Sequence, residues 1–519
     1  MQVNLISSIV ATLPTALALL LVTTLYFVFK NKGLPPGPIG LPYFGYWPFI
    51  KDADCASKLE ALKKKYGDIF SFTCTGRLYI NLGSLKSVRE ACITKSEFFG
   101  DRVSGYNIVN RFFKDGVFAI NGEPWKAARK FFLVLLKVRG ASSLKTSIAG
   151  PLYDSIKNTV KDLEAREGEP LNLIELLMRE SCTIVRLTLF GETGATEAQI
   201  RKFNEVYAVE VKSFTPKSLL LCGTFAKYFI FPFMPNFLES IKCHKKLEEL
   251  VQNLIDEHKD TYDAENPRDI IDEYFKEREK RRSRGDPTAE YFTDKVLLGS
   301  IVQFMGDGAL IAASFTSLLL NGLLLSPEEQ EKLYNEIVEV IGLDRQPTIE
   351  DKAKLTYLNA YIQEAIRTAD FLNLFPSQEC IRETTLGGYR IPKGAILVQN
   401  FYSCHRDAEV YEEPEKFKPS RYIPAAGKRK AEPPIMFGTG RSTLVHNEAS
   451  RVVKNLALQL VLNRITIPLS MTPSRDGMHH LEIELYDFAR VPDPVFTICS
   501  HHLFTFCEWW LVSSTAKVV

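Results

Sequence analysis

The first charged side chain in this sequence is Lys30, and the stretch from Leu5 to Phe29 is almost wholly apolar. A helix needs about 20 such residues to cross the hydrocarbon core, so the run is long enough to span a bilayer. A cleaved signal peptide needs a shorter run and small residues at the cut. Here the run ends in Tyr26-Phe27-Val28-Phe29. Pro14 is no obstacle, because membrane helices tolerate proline. Lys30 and Lys32 mark the following side as cytoplasmic. Residues 1–32 therefore read as an uncleaved single-pass anchor with the remainder of the chain in the cytosol. Ten cysteines without a C-x-x-C pair suit that reducing side and suggest neither a zinc ribbon nor a disulfide-stapled domain. Leu34-Pro35-Pro36-Gly37-Pro38 follows as a stiff extended spacer, since proline fixes φ and resists helix.

The body of the chain has the composition of an ordinary globular protein, 45% hydrophobic and 24% charged. Its 519 residues allow roughly three domains or one large enzyme domain. Lys+Arg 64 against Asp+Glu 62 excludes a nucleic-acid binder that relies on bulk positive charge. Apolar residues recur three or four apart in Ile241–His258, Glu328–Ile341 and Leu355–Ala369, which predicts helices. Ser326-Pro327-Glu328-Glu329 carries helix-start chemistry, with serine as N-cap and acids near the positive end. Strand-like alternation shows at Ile69–Thr73, Leu78–Leu82 and Gly388–Ile391. The count predicts a mostly α fold with a minor β-sheet. KEREKRRSR, Lys276 to Arg284, reads as a solvated helix end. Phe225 to Phe237, FAKYFIFPFMPNF, reads either as core or as a peripheral segment dipping into the bilayer. Residues 501–519, with adjacent His501 and His502 and two of the four tryptophans, form an atypical tail to which no function is given.

Several motifs then line up in one order. Trp125-Lys126-Ala127-Ala128-Arg129 follows Asn121-Gly122-Glu123-Pro124. Glu364-Ala365-Ile366-Arg367 lies on a predicted helix. Thr385 to Gly394, His405-Arg406-Asp407 and Pro414 to Tyr422 come next. Any one of these is weak, but the ordered set behind an anchor and a proline-rich spacer resembles the microsomal cytochrome P-450s, haem-thiolate monooxygenases. The resemblance covers residues 33–500 and implies the mostly α cytochrome P-450 fold. It implies haem as cofactor, an apolar small-molecule substrate, NADPH-cytochrome reductase as electron donor, and the endoplasmic reticulum membrane as location. It implies that Glu364, Arg367 and Arg421 form a buried charge network, which survives burial only when mutually paired. It also implies that Trp125 and Arg129 bind a haem propionate, an arginine–carboxylate match, with Phe437 and Gly440 in the haem-ligand loop.

The same resemblance exposes what is missing. The family's loop reads F-x-x-G-x-R-x-C-x-G, and here Phe437 to His446 reads FGTGRSTLVH. Ser442 stands where a propionate-binding arginine belongs, and Leu444 stands where the axial cysteine belongs. No cysteine lies between Cys404 and Cys499. His446 is the nearest ligand-type side chain, two residues beyond. A thiolate pushes electron density onto the iron, a role set by the axial ligand's identity; leucine has no lone pair. On the long central helix the resemblance sets Leu310 and Ile311 against the family's acid–threonine pair, or Ala309 and Leu310 one residue earlier, and neither register leaves a titratable group there for general acid–base work. Asp307 is the nearest acid, and at about 100° per residue it points elsewhere. Gln378 occupies a position where relatives often carry a propionate-binding His or Arg, leaving Arg129 as the one propionate partner that the motifs name.

Three readings follow. The first is a folded, membrane-tethered haem monooxygenase scaffold that is catalytically impaired or silent. The second is an active monooxygenase whose iron ligation the sequence does not reveal. The third is a decaying copy or faulty gene model, for which the stretch after Thr439 and the Trp-rich tail speak.

Overall fold

A computed structural model describes residues 32–138, 173–324, 326–342, 349–369, 374–423 and 430–435, with isolated positions between them. The predicted anchor and the tail lie outside the described residues.

Helices dominate. The centre of the fold is α9 (Asp294–Leu324), for which the earlier helices α1 (Cys55–Tyr66), α3 (Ile108–Phe113), α4 (Gly122–Val138), α5 (Leu173–Phe190), α6 (Glu197–Glu210), α7 (Phe237–Thr261) and α8 (Ile270–Ser283) prepare the surroundings. A short helix, α2 (Leu85–Arg89), leads away from the sheet. Two more long helices, α10 (Pro327–Val340) and α11 (Thr356–Thr368), complete the helical part. Among the described residues α9 is the one helix long and apolar enough to cross a membrane, but it is a core helix. It packs most extensively on α5 and also on α6 and α7, and it buries Ile301, Met305, Ala309, Ala313, Phe315 and Leu319. A mostly apolar helix is what a largely surrounded position selects.

The periodic segments fold as helices at α7, α10 and α11. Ser326 does sit at the N-cap of α10, yet its side chain makes no capping bond. Pro327 at the first turn and the two glutamates remain as the start signal.

The sheet has five strands in the order β1-β2-β7-β4-β3, namely β1 (Ile69–Cys74), β2 (Arg77–Leu82), β3 (Asp101–Arg102), β4 (Leu374–Glu379) and β7 (Ile396–Asn400). β2 and β7 pair in parallel and the other neighbours are antiparallel. A separate hairpin joins β5 (Thr384–Leu386) to β6 (Tyr389–Ile391). The proline-rich spacer is extended, and it is also seated on the domain. The carbonyls of Pro35 and Pro36 accept from Ser71 Oγ and Ser71 N, each at 2.7 Å. Gly37 is required there, because a Cβ would fall 1.6 Å from the Ser71 carbonyl oxygen.

One buried charge cluster ties α6 to α7. His244 Nδ1 lies 3.1 Å from Glu210 Oε2, and His244 Nε2 lies 3.4 Å from Glu248 Oε1. Arg111 and Lys114, at the end of α3, and Asp307 on α9 add their fields. Burial pushes the imidazole pKa down, but the hydrogen bonds and charges of Glu210 and Glu248 outweigh it and lift it to about 9. Burial raises the Glu210 carboxyl as well. A histidine raised in the folded state stabilises fully below its ordinary value of about 6.5, and that contribution fades as pH climbs through the folded value. Urea melts at stepped pH are therefore expected to show stability falling between those limits. His244→Gln, which keeps hydrogen bonding without titrating, should flatten this fall; an unchanged slope would remove His244 as its source.

Candidate functional site

Glu364 and Arg367 stand one turn apart on α11, 0% and 1% exposed. Their forked pair is closed by Arg367 Nε to Glu364 Oε2 at 2.9 Å and Arg367 Nη2 to Oε1 at 2.8 Å. Arg421, from the short helix Pro419–Tyr422, donates through Nε to both Glu364 oxygens at 3.1 and 3.0 Å. The remaining donors find backbone carbonyls. Arg367 reaches His405 O at 2.9 Å, Pro414 O at 2.6 Å and Lys416 O at 3.1 Å, and Arg421 reaches Lys416 O at 3.0 Å. Lys418 N donates to Glu364 Oε1 at 2.8 Å. Burial alone would lower the Arg367 pKa, but the bonds to Glu364 and its charge leave it raised, so the guanidinium stays charged. These bonds pin the meander from His405 to Tyr422 onto α11.

His405 extends the same scaffold toward the ligand loop. Burial, then the charges of Arg367 and Arg406, push its pKa down to about 3. The neutral ring accepts from the backbone N–H of Ile435 through Nε2 at 3.0 Å. The chain entering the loop is thereby fixed. Phe437, Gly440, Ser442, Leu444 and His446 themselves lie outside the described residues.

On α4, Trp125 and Arg129 sit one turn apart. Trp125 Nε1 and Arg129 Nε and Nη2 are buried without a hydrogen-bond partner among the described residues. Arg102, on β3, meets them from the sheet. Its Cζ lies 5.6 Å from the Trp125 ring centroid and that of Arg129 lies 5.0 Å away. Burial and then repulsion from Arg129 lower the Arg102 pKa to about 10; burial lowers that of Arg129. The orphaned donors of Trp125 and Arg129, with the positive charge of Arg102 beside them, call for an anion, and a carboxylate fits them. The residues present thus suit the carboxylate edge of a haem. Sequence motifs did not disclose Arg102. No periodicity marks a two-residue strand; Arg102 N donates to Asn121 Oδ1 at 2.7 Å and Arg102 Nε to Phe118 O at 2.8 Å, which hold it beside the start of α4.

Gln378 lies directly across from Arg102 in the β3–β4 register. Its amide oxygen faces inward, Oε1 accepting from Cys92 Sγ at 3.2 Å and Gln399 Nε2 at 3.3 Å. On α9, Leu310 and Ile311 are half-buried and pack into two different apolar clusters. Asp307 Oδ1 accepts the Tyr207 hydroxyl of α6 at 2.5 Å. Tyr207 lies so flat on α9 that a Cβ at Gly306 would come within 2.4 Å of its ring. The eight described cysteines are all buried. Burial is the first cause raising each thiol, to about 12 at Cys55, Cys92 and Cys182 and about 11 at Cys222 and Cys380. None of those eight is poised as a thiolate.

Comparison with known proteins decides the family. The cytochrome P450 family model matches residues 35–443. The chain belongs to the cytochrome P450 family. It is 29% identical to cytochrome P450 18a1 of Drosophila melanogaster over 462 residues, 84% of this chain and 82% of that protein. It is 28% identical to cytochrome P450 2J1 of Oryctolagus cuniculus, covering 84% of this chain and 87% of the relative. It is also 28% identical to cytochrome P450 2U1 of Homo sapiens, covering 82% of each. Haem is the cofactor that membership in the P450 family implies, and the helix-rich body with a small mixed sheet is the P450 fold. The matched region ends at residue 443, immediately before Leu444.

Proposed function

We propose that this chain is a membrane-tethered cytochrome P450 scaffold that binds an apolar small molecule and has lost oxygen chemistry. One observation carries the reading: leucine stands at position 444, where the resemblance to the family's ligand loop places the axial cysteine. Haem held by a thiolate supplies the family's oxygen insertion, and leucine cannot hold the metal. The described cysteines offer no substitute, because burial keeps their thiols protonated. The central helix adds a second deficit. Leu310 and Ile311 can neither hold nor pass a proton, and the Asp307 carboxylate is engaged with Tyr207.

Trp125, Arg129 and Arg102 are the residues that would hold the haem carboxylates, through donors that otherwise remain buried and unanswered at Trp125 and Arg129. The charge network of Glu364, Arg367 and Arg421 braces the meander beside the ligand loop.

Membrane attachment in the endoplasmic reticulum, with the domain on the cytosolic side, rests on the apolar run before Lys30 and on a surface patch. Phe233 is 82% exposed and Ile39 is 95% exposed, with Tyr228, Phe229 and Leu238 more than half exposed. Phe225 joins the two segments, 5.0 Å from Tyr43 and 5.7 Å from Phe44 between ring centroids. The aromatic stretch thus divides between core and surface: Ala226, Phe231 and Phe237 are buried. An exposed apolar patch beside the segment that leads to the anchor suits contact with lipid.

The test is a reconstitution with NADPH, NADPH-cytochrome reductase and an apolar fluorescent probe in lipid vesicles. Saturable probe binding without NADPH-dependent product is the expected outcome. An oxygenated product above the background without this protein would refute the loss of chemistry, and failure of the probe to saturate would refute ligand binding.

A further inference from the structure

The basic run KEREKRRSR plays no part in the site above. In the structure it forms the second half of α8 and the turn beyond it. Its side chains divide into two sets. Arg278 and Arg281 are committed inward, Arg278 Nη1 to Asp294 Oδ1 at 2.6 Å and Arg281 Nη2 to Glu277 Oε1 at 2.7 Å. Arg281 Nη1 also lies 3.5 Å from Asp286 Oδ2 in the turn. Lys280, Arg282, Ser283 and Arg284 are exposed. Ser283 is the last residue of the helix, and its Oγ donates to the Lys280 carbonyl at 3.0 Å. Gly285, at φ +65°, and Pro287 end the run.

An accessible hydroxyl is thus preceded by two exposed cations, Lys280 and Arg282, on either side of the committed Arg281, at a helix end that frays at little cost. Exposed cations ahead of a hydroxyl are the charge pattern that an acidic substrate groove reads. We propose that Ser283 is a phosphorylation site for a basic-directed serine/threonine kinase using ATP. Ser283 Oγ attacks the γ-phosphorus; the new O–P bond forms as the bond to the bridging oxygen of the departing ADP breaks. The hydroxyl proton passes to the kinase's catalytic aspartate.

The consequence follows from where the phosphate lands. The C-terminal carbonyls of α8 carry partial negative charge, so roughly two further negative charges there oppose the helix dipole. The Oγ bond to Lys280 is lost. Arg282 and Arg284 remain available on the turn side, so the last helical turn is drawn open toward them. Arg281, which joins that turn to Asp286, is the contact through which the loosening reaches the segment before α9.

The full-length protein, incubated with ATP and the catalytic subunit of the cyclic-AMP-dependent kinase, is expected to gain about 80 Da, one phosphoryl group, on the peptide containing Ser283. Ser283→Ala should abolish the gain, and Lys280→Ala with Arg282→Ala should slow it about tenfold, the loss of one to two charge contacts. Backbone amides over residues 279–283 should then exchange with deuterium several-fold faster. The proposal fails if no phosphate is incorporated, if the gain persists in Ser283→Ala, or if a free peptide of residues 276–288 is modified while the folded chain is not. Unchanged amide exchange in the modified protein would refute the opening of the helix end.

Discussion

Reduced and exposed to carbon monoxide, the haem-loaded protein is expected to lack the red-shifted Soret band that marks a thiolate-bound iron. The band reports the electron donation of a sulfur ligand, so it depends on axial identity and not on the surrounding fold. Leu444 cannot donate, and the described thiols are buried and held protonated. The expected spectrum is that of a haem with a nitrogen or water ligand. Appearance of the red-shifted band would mean that a cysteine from some part of the chain reaches the metal, and the silent-scaffold reading would fall. Leu444→Cys separates the two deficits. It should bring the band toward the thiolate position while NADPH-dependent product stays at background, since Leu310 and Ile311 still offer no proton path. Product from that single variant would show that the helix deficit carries little weight.

Arg367→Leu is expected to cost about 3–5 kcal/mol, because it leaves Glu364 buried and short of its forked partner. Against a typical total of about 5–15 kcal/mol, that is enough to shift much of the chain out of the folded state. Five hydrogen bonds leave with the guanidinium, three of them to the carbonyls of His405, Pro414 and Lys416. Arg367→Lys should recover little, since an ammonium cannot fork a carboxylate and reach three carbonyls together. Exposed pairs set the scale for comparison: Lys245→Ala, which removes a surface contact to Glu249 at 3.9 Å, should change stability by less than about 1 kcal/mol. Urea midpoints of the three variants decide the matter. A midpoint for Arg367→Leu close to that of Lys245→Ala would show that the meander is held by something other than this network.

Much of the architecture is legible in the sequence. Helix periodicity at α7, α10 and α11 depends on neighbours three and four apart, and strand alternation at β1, β2 and β6 on neighbours two apart, so both are written locally. Glu364 and Arg367 could be read as partners because the resemblance implies their network and one helical turn separates them. Arg102 could not. Its place beside Trp125 and Arg129 is set by tertiary bonds to Asn121 and Phe118 together with the pairing of β3 on β4. The fate of Gln378 was equally hidden, since its amide oxygen is bonded by Cys92 and Gln399, which arrive from other elements. His405 stood in a recognised motif, yet its bond to Ile435 depends on a returning segment.

The sequence by itself determined the apolar run before Lys30 and the helical periodicity of the body, and its ordered motifs carried the resemblance to the P450s that sets Leu444 against the family's cysteine, because each is a matter of residue type, spacing or order. Only the tertiary structure decided that the proline spacer is seated on Ser71, that Arg102 joins Arg129 over one indole, and that Asp307 is engaged by Tyr207. Those are choices of partner. A side chain's partner is set by which distant segments packing brings within about 3 Å of it, and no local pattern carries that information.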